Sequence, residues 1–245
     1  GELPPHVAVE GFGFHLLIVL SILFAIFTVG ALDGPVPPDA RIRRAEAMSR
    51  RTLSPASSPM SRPPASRVAS LAMKAVIAAF PVRTLYSSVT SSSNGAFQRV
   101  MRAAETANLA ITVPDVGDTF SLGSATVTVL GPQKHYSDVN DQSLILRVDY
   151  GSNAFLFTGD AEYQSETDVL DAGENVRCDV IKAGHHGSRT STGYRLLYEA
   201  QPKYAVISCG AGNEYGHPHD DTLSRLRDAD VTVYRTDLNL SLIHI

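Results

Sequence analysis

Residues 153–188 read NAFLFTGDAEYQSETDVLDAGENVRCDVIKAGHHGS: a short apolar run, a polar stretch of helical length, then a second apolar run. Each run ends by delivering side chains that bind divalent metals well, Asp160 after the first, His185 and His186 after the second. Short buried strands ending in Gly followed by Asp or His hold reactive groups on loops above a rigid sheet, where open α/β folds place their chemistry. If the two strands are parallel neighbours, the Asp and His ends meet at one sheet edge. A buried carboxylate cannot stay unpaired, so Asp160 either closes a turn, caps the next helix or binds a metal. The His pair beside a Gly serves no apolar pattern, and neutral imidazole is a common ligand of borderline metals; a hydrogen-bonded loop is the alternative.

Further along, NEYGHPHDD (213–221) lies between a strand starting at Tyr204 and a helix starting at Asp220. His217 and His219 flank Pro218, which stiffens the loop and fixes the relation of the two rings. They are candidates for catalytic or substrate contacts, with simple helix entry as the alternative. Ser188, Arg189, Thr190 and Ser191 bring hydroxyls and a guanidinium beside the His pair, groups suited to a phosphate oxygen.

The chain has 245 residues, 44% of them hydrophobic, enough for a real core in one large or two small domains. Its net charge of -4 excludes a global basic field for nucleic acid, so any phosphate contact must be local or metal-mediated. Cys178 and Cys209 lack CxxC spacing and read as buried thiols inside strands. The sequence opens at Gly1 without an initiator Met, as a processed chain or a piece of a longer one would.

Residues 11–32 carry no formal charge and are apolar all round, long enough to cross a bilayer. Glu2 and Glu10 precede this run and Arg41, Arg43 and Arg44 follow it, which favours a membrane helix over a cleaved signal or a buried helix. Residues 33–72 are rich in Pro, Ser, Ala and Arg, without apolar period, and read as a solvated linker. From Met73 the pattern becomes regular. MKAVIAAF ends a helix, RTLYS is a strand, GAFQRVMRAAETA an amphipathic helix with Phe97, Val100 and Met101 on one side, and AITV a strand. Two hairpins follow, turned at 122–124 and 151–153. The remainder alternates helix (162–170), strand (179–182), helix (193–200), strand (204–208), helix (220–228) and strand (232–235). This is an α/β (α+β) pattern, a sheet covered by helices on an outer face.

The blocks TSSS, GDTFSLG, VTVLGP, NDQSLILRVDYG, FLFTGDAE, IKAGHHGSRTST, PKYAVISCG, YGHPH and VYRTD, in this order, resemble the C-terminal metallo-β-lactamase-fold domain of ComEC/Rec2 competence proteins, over Met73 to about Asn239. The resemblance implies a metallo-β-lactamase αββα sandwich, preceded by membrane helices and acting as a metal-dependent nuclease on DNA during uptake. Relatives with this fold hydrolyse other phosphodiesters, lactams and thioesters. By the family's pattern Asp160 is the metal-bridging carboxylate and one of His185 and His186 the later His ligand, His185 being preferred with His186 supporting it. His217 and His219 match the GHPH block, and with Arg189 they would steady charge on the substrate. The implied cofactor is divalent metal, zinc or manganese, two ions in an intact relative.

The family's HxHxDH ligand block should stand just before the helix at MKAVIAAF, where this chain has SRPPASRVASLA with no His or Asp. The DVGQGD-like block of the first half-sandwich is also missing, and LNLSLIHI replaces the expected final Gly-rich turn. The expected organisation is therefore an apolar membrane segment (1–32), a linker (33–72), a metallo-β-lactamase-like domain incomplete in its first half (73–239) and an atypical tail (240–245). Expected partners are DNA, the bacterial cell membrane through residues 11–32, and other competence proteins. The arginines after the apolar run point to a cytoplasmic domain, while the resemblance implies an extracytoplasmic one.

Overall fold

A computed structural model describes residues 84–239 together with 73, 74, 77, 78 and 82. The expected membrane segment, linker and tail lie outside the described residues. Among the described residues no helix is long and apolar enough to cross a membrane. Two compact units divide between Val113 and Pro114.

In the first unit Met73, Lys74, Ile77 and Ala78 are helical, as MKAVIAAF suggests. Strand β1 (Leu85–Tyr86) and strand β2 (Ile111–Thr112) pair in parallel on either side of helix α1 (Gly95–Thr106). Both strands are shorter than RTLYS and AITV lead one to expect. A small core joins Met73, Ile77, Leu85, Ala104 and Leu109, with Val100 and Ala103 packed against it. The packed face of α1 thus runs through Val100, Ala103 and Ala104, while Phe97 and Met101 stay partly exposed.

The second unit is a seven-stranded sheet in the order β3-β4-β5-β6-β7-β8-β9. Strands β3 (Thr119–Leu122), β4 (Ala125–Gly131), β5 (Ile145–Tyr150) and β6 (Asn153–Phe157) form an antiparallel meander. Its hairpins turn at Gly123 and Gly151, both at positive φ, where the absence of a Cβ removes the steric penalty. From β6 onward the pairing is parallel: β7 (Val180–Lys182), β8 (Tyr204–Ile207) and β9 (Thr232–Arg235), joined through helices α2 (Tyr163–Asp171), α3 (Tyr194–Ala200) and α4 (Asp220–Asp228). A short helix α5 (Thr236–Asn239) follows β9.

Strand alternation divides the buried side chains into two sets. Leu130, Ile145, Leu156, Ile181, Ala205 and Ile207 form one core with Val169 of α2, Leu196, Leu197 and Ala200 of α3, and Leu226 of α4. All three crossover helices therefore bury their apolar stripes in that one core. Val127, Val129, Leu146, Val148, Phe155 and Phe157 are buried outside it. A mixed sheet with apolar residues buried on both faces is what a layered αββα sandwich requires, and it explains why NAFLF reads as a continuous apolar run.

The cysteines are free thiols; Cys178 is buried and Cys209 partly exposed. They flank strands instead of lying inside them, Cys178 before β7 and Cys209 after β8.

Candidate metal-binding and catalytic site

Strands β6 and β7 are parallel neighbours with Phe157 opposite Lys182, so the two chain segments leave the sheet side by side. The loop after β6 carries Asp160. The loop after β7 turns through a 3-10 segment, Gly184–Gly187, that carries both histidines. The loops are tied at Gly159, whose carbonyl accepts from the His185 N–H (3.1 Å) and from Lys182 Nζ (2.9 Å).

Asp160 is not the cap of α2. The N–H groups of Glu162 and Ser165 donate instead to Asp141 Oδ1, at 2.9 and 3.1 Å, so a residue from the β4–β5 loop caps that helix. The same loop braces Asp160 itself, whose N–H donates to Ser143 Oγ (3.1 Å), and a Cβ at Gly159 would stand 2.7 Å from Ser143 Cβ. With the capping role taken, the Asp160 carboxylate faces the His pair: His186 Nε2 lies 3.6 Å from its Oδ1.

His185 and His186 both adopt left-handed backbone, at φ 43° and 56°. Such conformations cost side-chain-bearing residues on the order of 1 kcal/mol each and collect at functional sites. Their effect is to aim two consecutive rings apart. His186 Nδ1 is 2.7 Å from the Ser208 carbonyl, and His185 Nδ1 is 3.0 Å from Glu162 Oε1. A carbonyl can only accept, so His186 donates from Nδ1 and keeps its Nε2 lone pair toward Asp160, the orientation of a metal-ligating histidine. His186, not His185, is therefore the ring set beside Asp160. The Ser208 carbonyl is in turn steadied from the first residue of α5, because Thr236 Oγ1 accepts from the Cys209 N–H and donates to the Cys209 carbonyl, both at 2.8 Å.

His217 and His219 come to the same place. The His217 ring stands edge-on to His185 (5.5 Å between centroids) and to His219 (4.7 Å). His219 holds the N-cap position of α4, but its ring turns back, with Nδ1 accepting the Arg189 N–H (2.9 Å). Its backbone N–H donates to the Gly187 carbonyl (2.9 Å), locking this loop to the His185–His186 turn. Arg189 projects an exposed guanidinium 4.0 Å from Asp221. Ser188 and Ser191 are buried, with Ser191 Oγ donating to Gly184 O (2.8 Å) and Ser188 Oγ paired with Thr190 Oγ1. Of the SRTS run, then, the guanidinium is the group left facing outward.

Burial lowers the pKa of Lys182, opposed by the Asp160 carboxylate. Burial and then the Lys182 charge lower His186, which keeps its imidazole neutral at pH 7. Burial, together with the neighbouring His rings, pushes His217 down to about 4.

Lys182, Glu162, Asp141, Ser143 and the buried residues Glu166 and Arg225 brace these loops, and the sequence alone did not single them out. A Lys closing the apolar strand VIK, and a Glu two residues after Asp160, were the available signals. Glu166 accepts from the N–H groups of Thr192 and Gly193, while Arg225 donates to the carbonyls of Arg189, Ser191 and Thr192, so the 188–193 loop is held from both sides.

As a donor set, Asp160 and His186 suit a borderline divalent cation, but catalytic zinc takes three protein ligands. Among the described residues no three His, Cys, Asp or Glu side chains gather closely enough to hold a metal ion. Among the described residues, then, no complete metal site is formed.

The fold has a family: the Metallo-beta-lactamase superfamily profile matches residues 73–211, more than half of the chain, and the chain belongs to that superfamily. Within it the chain is similar to competence proteins. It is 36% identical over 143 residues to ComE operon protein 3 of Bacillus subtilis (strain 168), covering 58% of this chain and 18% of that one. It is 39% identical over 106 residues to Competence protein ComA of Neisseria gonorrhoeae (43% and 15%), and 41% identical over 87 residues to Recombination protein 2 of Haemophilus influenzae (36% and 11%). The resemblance to ComEC/Rec2 proteins read from the sequence blocks is thus supported by named relatives. The chain spans less than a fifth of the length of each of these three.

Proposed function

We propose that this chain carries the hydrolase domain of a ComEC/Rec2-type DNA-uptake protein and that its substrate is the phosphodiester backbone of DNA. The observation that carries the reading is the meeting of Asp160 and His186 at the ends of parallel strands β6 and β7, with the imidazole oriented by Ser208 so that its free nitrogen faces the carboxylate. His217 and His219 stand beside this pair, and in this reading the exposed Arg189 guanidinium steadies charge on a phosphate. In this proposal an intact relative uses two divalent ions, zinc or manganese, to activate water, and Asp160, His185 and His186 are this chain's share of the ligands and their support. The domain spans 73–239, held by a 33–72 linker to a membrane helix within 1–32, outside the bacterial cytoplasm and alongside other competence proteins.

Because the described residues complete no metal site, weak metal binding and slow cleavage are expected of this chain. The same observation favours a second reading, a non-catalytic nucleic-acid-binding module that keeps the scaffold without the chemistry. The test incubates the full chain and its Asp160→Ala variant with labelled single- and double-stranded DNA, with manganese, zinc or chelator, beside an intact relative. Chelator-sensitive cleavage lost in the variant supports the hydrolase. No cleavage under any metal, with the relative active in parallel, supports the binding module.

A further inference from the structure

The loop 210–217 presents one feature that the metal chemistry does not use. Tyr215 is 53% exposed, and its ring lies nearly parallel on His217, 5.7 Å between centroids and 28° between planes. The loop beneath it is closed on itself. Asn213 Nδ2 donates to the Gly210 and His217 carbonyls, and Asn213 Oδ1 accepts the His217 N–H (2.9 Å). An aromatic ring already fixed in place loses little conformational freedom when a second planar group settles on it. The ring also sits beside the histidine cluster: His217, on which it lies, is 5.5 Å from His185.

Charge narrows what that planar group can be attached to. Arg189 stands 4.0 Å from Asp221, the 213–221 stretch that carries Tyr215 also holds Glu214 and Asp220, and the whole chain is net -4. Backbone phosphates gain little from such a stretch, so a nucleic acid held here draws its affinity from base faces. In a duplex those faces are covered by neighbouring base pairs. An unpaired base leaves them open.

We propose that Tyr215, backed by His217, is a stacking platform for an unpaired nucleobase, which makes single-stranded DNA or a frayed strand end the preferred ligand of this site. This rests on the DNA reading above and adds to it the form of the strand and the residue that selects it. Every base has a π-face, so the contact is indifferent to sequence.

The test measures binding by fluorescence anisotropy on the full chain, with chelator present so that no cleavage intervenes. The probes are a labelled single-stranded oligonucleotide, the same strand with an abasic position, and a blunt duplex. Tyr215→Leu, whose fold is checked by its melting temperature, is expected to weaken single-strand binding roughly 5- to 150-fold. Tyr215→Phe is expected to bind like the unsubstituted chain, and the duplex to be insensitive to either change. The abasic strand is expected to bind the unsubstituted chain less tightly than the intact strand does, and to bind Tyr215→Leu no differently from it. Unchanged single-strand binding by Tyr215→Leu, or an equal loss for single strand and duplex, overturns the platform while leaving the DNA reading in place. An unsubstituted chain that binds neither form overturns both.

Discussion

Replacing Gly187 by Ala places a methyl carbon 2.6 Å from Pro218 Cβ, 3.1 Å from Pro218 Cα and 3.2 Å from Ile207 Cγ2, on a backbone held at φ +84°. Two separate costs follow. A side chain at positive φ is disfavoured by about 1–2 kcal/mol whatever the space around it. Overpacking against the proline ring, which cannot rotate away, adds about 1–3 kcal/mol. The total is about 2–5 kcal/mol, a large part of an ordinary domain's stability. Gly151 separates the two costs, because it sits at φ +58° with nothing within 4 Å of an added Cβ. Gly151→Ala should therefore show the conformational cost alone. Urea unfolding of the full chain and both variants reads the difference, with Gly187→Ala expected to lose about 1–3 kcal/mol more than Gly151→Ala. Since the Gly187 carbonyl receives the His219 N–H, the variant should also loosen the histidine loop. Equal shifts in the two unfolding midpoints would refute the close approach of Gly187 to Pro218 from which the extra cost is reasoned.

Glu166 supplies a prediction in pH. Burial raises its carboxyl from 4.5 to about 7, above its value in the unfolded chain, so the folded state binds a proton that the unfolded state has released. Stability should then be highest below pH 4.5 as far as this group is concerned, fall between 4.5 and about 7 by at most about 1.4 kcal/mol per pH unit, and level off above. Glu166→Gln should flatten that slope in denaturation midpoints measured across the window, and an unchanged slope would assign it to other groups. Arg225→Met removes the shared donor of the Arg189, Ser191 and Thr192 carbonyls, and a loss of about 3 kcal/mol or more is expected by calorimetry or urea melts. A loss under about 1 kcal/mol would show that water replaces the guanidinium freely.

The parts of the fold legible in the sequence are those fixed by local pattern. Gly123 and Gly151 mark turns because only their backbones tolerate the geometry, and both hairpins form there. The helix 220–228 and the strand 232–235 fall where the apolar spacing puts them. The meeting of the Asp and His ends was legible too, since two apolar strands joined by a helix have little choice but to lie parallel. Which His meets Asp160 was not. Two successive left-handed residues turn His186 to Asp160 and His185 to Glu162, a backbone event with no local sequence signature. Glu166 and Arg225 were invisible for another reason: charged residues on helices α2 and α4 read as solvent-facing, and their burial depends on loop atoms 26 to 36 residues away.

The twisted backbone at His185 and His186 also says how this chain would respond to selection for robustness. Glycine at either position relieves the left-handed penalty, so a screen for heat resistance alone should enrich His-to-Gly changes there. Each such gain would erase a ring that the site is built around. Lineages that keep both histidines in that posture are under a pressure other than durability, and the persistence of the pair under thermal selection becomes a readout of whether the site still does something for its cell.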